Sequence, residues 1–317
     1  MQAVDGVIFL SMKGNLLQHH LQTLIDNATQ ESKDLSSPKD SEALHDFRVS
    51  LRRLRSFLKS YESALGKKSK QHRQHLGELM RLTNSGRDQE VNLNWLHQQQ
   101  KVSAEIKTGI ALIKISLEKY PTLDRRKLQK QFAKQAAKLK QLAKKTHFKG
   151  NFNLLTSSIL NKYTGTLKTE LSQLAKDPNL VHQTRITVKH LRYSLELLDA
   201  KESKALVNKL KELQDTLGGL NDLGLLIKHL DELLMAQVIH LPQRFIATSS
   251  DPNIDQRHLP ELEQAFALAA LKKYILAMIQ DLQKELKKNW FGRSNAVFFR
   301  ELKALCKTLA KTPDPSL

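Results

Sequence analysis

The sequence predicts an all-α protein made of two pseudo-symmetric helical bundles of the four-helix type. Three observations carry that reading. Apolar residues recur at intervals of three and four rather than two, as in Phe47, Leu51, Leu54, Leu58, Tyr61 and again in Leu128, Phe132, Leu139, Leu142. Gly (12) and Pro (8) are sparse over 317 residues, while the helix formers Leu, Lys, Gln, Glu and Ala fill most segments. The third observation is an internal repeat. His45-Asp46-Phe47-Arg48-Val49-Ser50-Leu51-Arg52-Arg53-Leu54-Arg55 aligns with His182-Gln183-Thr184-Arg185-Ile186-Thr187-Val188-Lys189-His190-Leu191-Arg192, 137 residues on. A second echo pairs Leu76-Gly77-Glu78-Leu79 through Arg87-Asp88 with Leu210-Lys211-Glu212-Leu213 through Asn221-Asp222, 134 residues on. The chain then divides into related halves, 1–148 and 149–317, each forming a bundle.

Punctuation orders the helices. Periodicity predicts the first over 10–28; Ser36-Ser37-Pro38 precedes the second, 41–64; the third, 68–84, stops at Asn84-Ser85-Gly86. Further helices follow at 88–119 (with room for a break), 122–147, 152–175, 179–200 and 203–217. Gly218-Gly219 ends the last of these, and 222–239 follows it. The Pro242, Pro252 and Pro260 stretch with its Ser249-Ser250-Asp251 cluster reads as the longest irregular segment, before helices at 260–289 and 294–311.

Charge narrows the function. Lys plus Arg is 51 against 32 Asp plus Glu, a formal +19, which points to a polyanionic partner. One cysteine, Cys306, excludes a disulfide framework and a cysteine-based zinc site. The Met1–Leu10 segment lacks the basic region of a signal peptide. No apolar run reaches the 18 or so residues of a membrane span, and a cytoplasmic protein is expected.

The basic residues are patterned. His45, Arg48, Arg52, Arg55 and Lys59 are spaced 3, 4, 3, 4 and line one helix face, with Arg53 beside them. His182, Arg185, Lys189 and Arg192 repeat the 3, 4, 3 spacing, with His190 answering Arg53. Like charges one turn apart destabilise a helix, and no acid falls within either stripe, so both are read as an anion-binding surface. A stripe of about 14 residues covers roughly 21 Å, which suits a long anion better than one phosphate. Lys130, Lys134 and Lys138 on a third basic helix, and Arg300, Lys303 and Lys307 on a fourth, extend the candidate set.

The His-x-x-Arg helix, its later partner ending in Leu191-Arg192-Tyr193, and the Leu213-Gln214-Asp215 to Leu220-Asn221-Asp222 run resemble the CHAD family of histidine-bearing α-helical domains, from about Lys13 to Lys311. That resemblance implies two pseudo-symmetric four-helix bundles facing across a basic cavity, binding of inorganic polyphosphate and association with polyphosphate granules. Neither a catalytic residue nor a metal or other cofactor is expected. A metal-dependent phosphohydrolase could be drawn from His45-Asp46, with His19 or His20 and Asp88. The second motif loses the acid at Gln183, however, and three arginines on the histidine's face repel a divalent cation. The competing reading is RNA or DNA binding through phosphate contacts. Aromatic residues are only 6%, and none is interleaved with the stripes as a stacking platform.

Overall fold

The computed structural model describes residues 16–35, 41–117, 123–198, 201–248 and 260–313. Twelve α-helices occupy them: α1 (Leu16–Asp34), α2 (Ser41–Ser60), α3 (Glu62–Leu65), α4 (Lys68–Leu82), α5 (Asn84–Gln98), α6 (Ala104–Leu117), α7 (Arg125–Lys145), α8 (Phe152–Leu174), α9 (Val181–Leu195), α10 (Lys201–Thr248), α11 (Pro260–Trp290) and α12 (Ala296–Lys311). A 3-10 turn, Pro178–Leu180, leads into α9. Among the described residues there is no strand, and the fold is all-α.

Local chemistry sets several of these ends. The Asp124 carboxylate accepts from the Lys127 amide at 2.9 Å and starts α7, and Asn151 accepts from the Leu154 amide at 2.9 Å and starts α8. The helix expected over 88–119 is broken into α5 and α6, and the N-terminal part of the one expected over 10–28 lies outside the described residues.

Several readings of the punctuation fail. Asn84-Ser85-Gly86 opens α5, because α4 already ends at Leu82. Gly218-Gly219 does not end a helix, and α10 runs uninterrupted for 48 residues to Thr248, with Pro242 inside it. The glycine serves packing instead. A Cβ on Gly219 would stand 3.1 Å from a Leu282 methyl of α11, so the missing side chain lets α11 approach. Gly109 of α6 does the same more severely, since its Cβ would fall 2.4 Å from the Ala267 carbonyl oxygen. The irregular segment expected from Leu241 onward is helical as far as Thr248. Its remaining part, 249–259, lies outside the described residues.

The helices gather into two compact units, each drawing on both halves of the chain. Unit 1 comprises Met1–Asn84, Leu123–Asp215 and Asn289–Leu317; unit 2 comprises Ser85–Thr122 and Thr216–Lys288. In unit 1, α1 packs on α2 and α7, α8 packs on α9 and α12, and α2 meets both α4 and α9. Its core holds Phe47, Leu51, Leu54 and Leu58 of α2 and Tyr61 just after it, each fully buried. Phe47 meets the Phe132 ring edge-on at 5.0 Å, and Tyr61 stacks on Phe152 at 5.5 Å. The buried Tyr61 hydroxyl is satisfied by Thr156 at 2.9 Å. Unit 2 is built on a separate cluster including Leu96, Ile113, Leu226, Leu230, Leu271 and Ile275.

Charge is divided as sharply as the cores. Unit 2 contains 13 Lys or Arg and 13 Asp or Glu, whereas unit 1 contains 38 and 19, so unit 1 carries the entire +19.

Candidate functional site

The cations of unit 1 converge on His190 of α9. Its Nε2 lies 3.3 Å from the Lys59 ammonium of α2, and its Nδ1 lies 2.6 Å from the Ser56 hydroxyl. An ammonium can only donate, so Nε2 accepts, and Nδ1 carries the proton and donates to Ser56. The ring is stacked on Tyr163 of α8, centroids 5.2 Å apart, and the Tyr163 hydroxyl meets Ser60 at 3.1 Å.

Burial, and then the charges of Lys59, Arg55, Arg73 and Lys189, hold the imidazole down to about 3. The cations strain one another as well. Burial is the first cause lowering Lys59 from its usual value, followed by Arg73, Lys162 and Arg55, with Glu170 opposing. Arg55 is lowered by burial, Arg73 and Arg81. The Arg55 guanidinium lies across α4 where that helix has no side chain: a Cβ on Gly77 would come within 3.2 Å of Arg55 Nη2. Its Nε is buried and makes no hydrogen bond.

Four of the residues expected from the stripes therefore meet here: Arg55 and Lys59 from the first motif, Lys189 and His190 from the second. Sequence reasoning missed Arg73 and Arg81 of α4 and Lys162 of α8, which add their charge to the same cluster. Gly77 in mid-helix was the available signal for the α4 contribution, because an unforced glycine there costs about 1 kcal/mol.

The other stripe residues are placed differently. Arg48 is 4% exposed, and its guanidinium donates to the Thr83 hydroxyl at the end of α4 while lying 3.5 Å from the Met80 carbonyl. Thr83 in turn donates to Met80 at 2.7 Å, so Arg48 closes the C-terminal end of α4, where a cation suits the helix dipole. Arg53 and Arg192 both bind Glu196, at 3.2 and 3.3 Å, and their guanidinium carbons lie 5.9 and 4.9 Å from the Tyr193 ring centroid. Glu196 follows Arg192 by one turn, so an acid does continue the second stripe just past its expected end. Arg185 is half-buried, with a buried Nε that makes no hydrogen bond. His45 and Arg52 are half-buried, and His182 is exposed. Lys130, Lys134 and Lys138 of α7, and Arg300, Lys303 and Lys307 of α12, are exposed. Of these six, Lys138 alone bears on a described group of α4, lowering His72, for which burial is the first cause and His75 the second.

A cavity of about 320 Å³ lies beside this cluster rather than at it. It is lined by Arg53, Glu196, Tyr193, Phe57 and His20, with Ser56 as the wall shared with His190. Its arginine is matched by its own carboxylate, so it has no excess charge to offer an anion, and His20 there is held down to about 4 by burial and then by His19. The cation cluster, by contrast, gathers positive side chains from α2, α4, α8 and α9 around one neutral imidazole.

Solved structures share this architecture. The crystal structure of the CHAD domain from the plant Ricinus communis matches with a TM-score of 0.59 and 18% identity, covering 98% of this chain and 99% of that one. PptA from Streptomyces chartreusis matches with a TM-score of 0.58 and 16% identity, covering 87% and 98%. No curated protein sequence matches the chain. The family described as the CHAD domain matches residues 15–231, more than half of the sequence, and the chain belongs to the CHAD domain family.

Proposed function

We propose that this protein binds inorganic polyphosphate at the cation cluster around His190 and catalyses no reaction on it. The observation that carries the reading is the convergence of Arg55, Lys59, Arg73, Arg81, Lys162 and Lys189 on one site, each raising the cost of its neighbours' charge. Such repulsion is a standing cost to the free protein that a polyanion relieves. Arginine supplies forked donors to two phosphate oxygens at once, and lysine supplies point charges.

Two features favour polyphosphate over RNA. Tyr163, the aromatic ring of the cluster, is 8% exposed and covered by His190, leaving no face on which a base can stack. The family resemblance implies the same ligand and association with polyphosphate granules. Binding without turnover is supported by His190, which at about 3 is a poor general base near neutral pH.

The test is calorimetry with polyphosphate of defined length, against RNA at matched phosphate concentration and salt. Tight binding of the polymer, resistance to RNA competition and loss of binding in Arg55→Glu with Lys59→Glu are expected. Displacement of polyphosphate by equal RNA phosphate would establish the nucleic-acid reading instead.

A further inference from the structure

The electroneutral unit 2 exposes apolar side chains of a kind unit 1 mostly buries. Met235, Val238, Ile239, Phe245 and Ile246 of α10 are between 51 and 71% exposed and run along about three turns of helix. Phe266 of α11 is 60% exposed. The two helices are antiparallel here, tied by Gln237 to Gln264 at 3.1 Å and by the Lys272–Asp231 ion pair, which puts Met235 level with Phe266. An apolar strip of this extent on a soluble surface marks an interaction site.

The outward face of α11 says what covers it. Glu263, Phe266, Ala270 and Lys273 are spaced 3, 4, 3 and share one helix face. Read in reverse about the level of Leu268, the series exchanges acid for base and large for small: Glu263 answers Lys273, and Phe266 answers Ala270. A face with that property is complementary to itself in antiparallel register. An isologous contact requires this, because residue i must meet j while j meets i. Glu263 and Lys273 are exposed and Ala270 is half-buried. Charge points to the same occupant. A chain bearing +19 repels its own copies, but unit 2 adds nothing to that excess and is where two copies can meet at least electrostatic cost.

We infer that the α10–α11 hairpin is a self-association surface, on which a second copy of this chain packs α11 against α11 about a two-fold axis at the level of Leu268 along the helix, on the face opposite that buried side chain. Phe266 of each copy fills the space over Ala270 of the other, Glu263 pairs with Lys273 at both ends, and the α10 apolar strip is covered along the flank.

Sedimentation equilibrium of the full chain, free of polyanion, tests this with two single reversals, Glu263→Lys and Lys273→Glu. Wild type should dimerise. Each reversal alone sets like charges against each other at both ends and should weaken the dimer roughly tenfold or more. An equimolar mixture of the two variants should form a heterodimer at near-native strength, because every pair is again opposite. Phe266→Glu should be monomeric, with an unchanged thermal melt confirming that it is folded. A wild type that stays monomeric at all concentrations overturns the inference. So does a dimer indifferent to the reversals, and so does a mixture no tighter than its parts.

Discussion

Lys59 and His190 belong to different sequence motifs and are 131 residues apart, yet the ammonium of one lies 3.3 Å from the imidazole Nε2 of the other. A cation therefore occupies the lone pair that would otherwise take a proton, which is part of why His190 is held at about 3 rather than near the usual 6.5. A bound polyanion draws the ammonium toward itself and favours the imidazolium, raising that value.

Polyphosphate binding should accordingly take up protons. Between about 3 and the raised value, the complex holds more protons than the free protein, so affinity rises as pH falls through the mildly acidic range. Calorimetry in buffers of different ionisation enthalpy measures the uptake. In His190→Gln it should vanish while binding persists, and unchanged uptake would place the titrating group elsewhere.

The same histidine, with His20, predicts acid instability. Both have folded-state values below the unfolded 6.5, at about 3 and about 4, so the unfolded chain binds more protons between those limits. Stability from their neutral burial is complete above 6.5 and is lost as pH falls toward 4, at up to about 1.4 kcal/mol per pH unit for each group. Urea midpoints measured from pH 7 to pH 4.5 should fall steeply in wild type and less steeply in His20→Gln with His190→Gln. Parallel pH profiles would contradict the assignment.

Arg48 and Arg55 stand two turns apart on α2 but should respond oppositely. Arg48→Ala removes a buried cation from Thr83 and the end of α4 and should cost about 3 kcal/mol of stability, with polyphosphate affinity per folded molecule nearly unchanged. Arg55→Ala should leave stability unchanged or raised, since it removes a half-buried charge from beside Arg73 and Arg81, and should weaken binding. Denaturation and binding assays on the two proteins separate the roles.

Glu196 yields a less obvious expectation. Its carboxylate holds both Arg53 and Arg192. Glu196→Gln releases two guanidinium groups, and one of them, Arg53, lines the same cavity as Ser56, the wall shared with the His190 cluster. Polyphosphate should bind several-fold more tightly and with a steeper dependence of log affinity on log salt, as more counterions are released. Affinity equal to or below that of wild type would show that these arginines cannot reach the ligand.

These assignments show where sequence reasoning carries and where it stops. The core series from Phe47 to Tyr61 was legible because one helix face repeats its own signal, and all five of its residues are fully buried. The 3, 4 spacing puts Arg48 in the anion-binding stripe, yet on the wheel it lies only about 60° from Leu51, and that shoulder is covered by the end of α4. A stripe read on one helix cannot report which neighbour lies over it. Arg73, Arg81 and Lys162 carry no pattern of their own, since their common destination exists only once α4 and α8 pack beside α2 and α9. Gly219 reads as a stop because glycine usually punctuates, whereas its role depends on Leu282, 63 residues later. Nothing within the local window distinguishes the two.

The confinement of all excess charge to unit 1 has a consequence for the bulk behaviour of the complex. Dissolved protein is kept apart by mutual repulsion, and here that repulsion originates wholly in the unit proposed to bind the polymer. When bound phosphate supplies about 19 negative charges per chain, the complex is neutral, and unit 2 holds no reserve of charge to keep it dispersed. Mixtures should therefore turn turbid near that ratio and clear again when either component is in excess. The composition of the condensed phase is then fixed by a count of lysines and arginines against acids, and only weakly by how tightly any single phosphate is held.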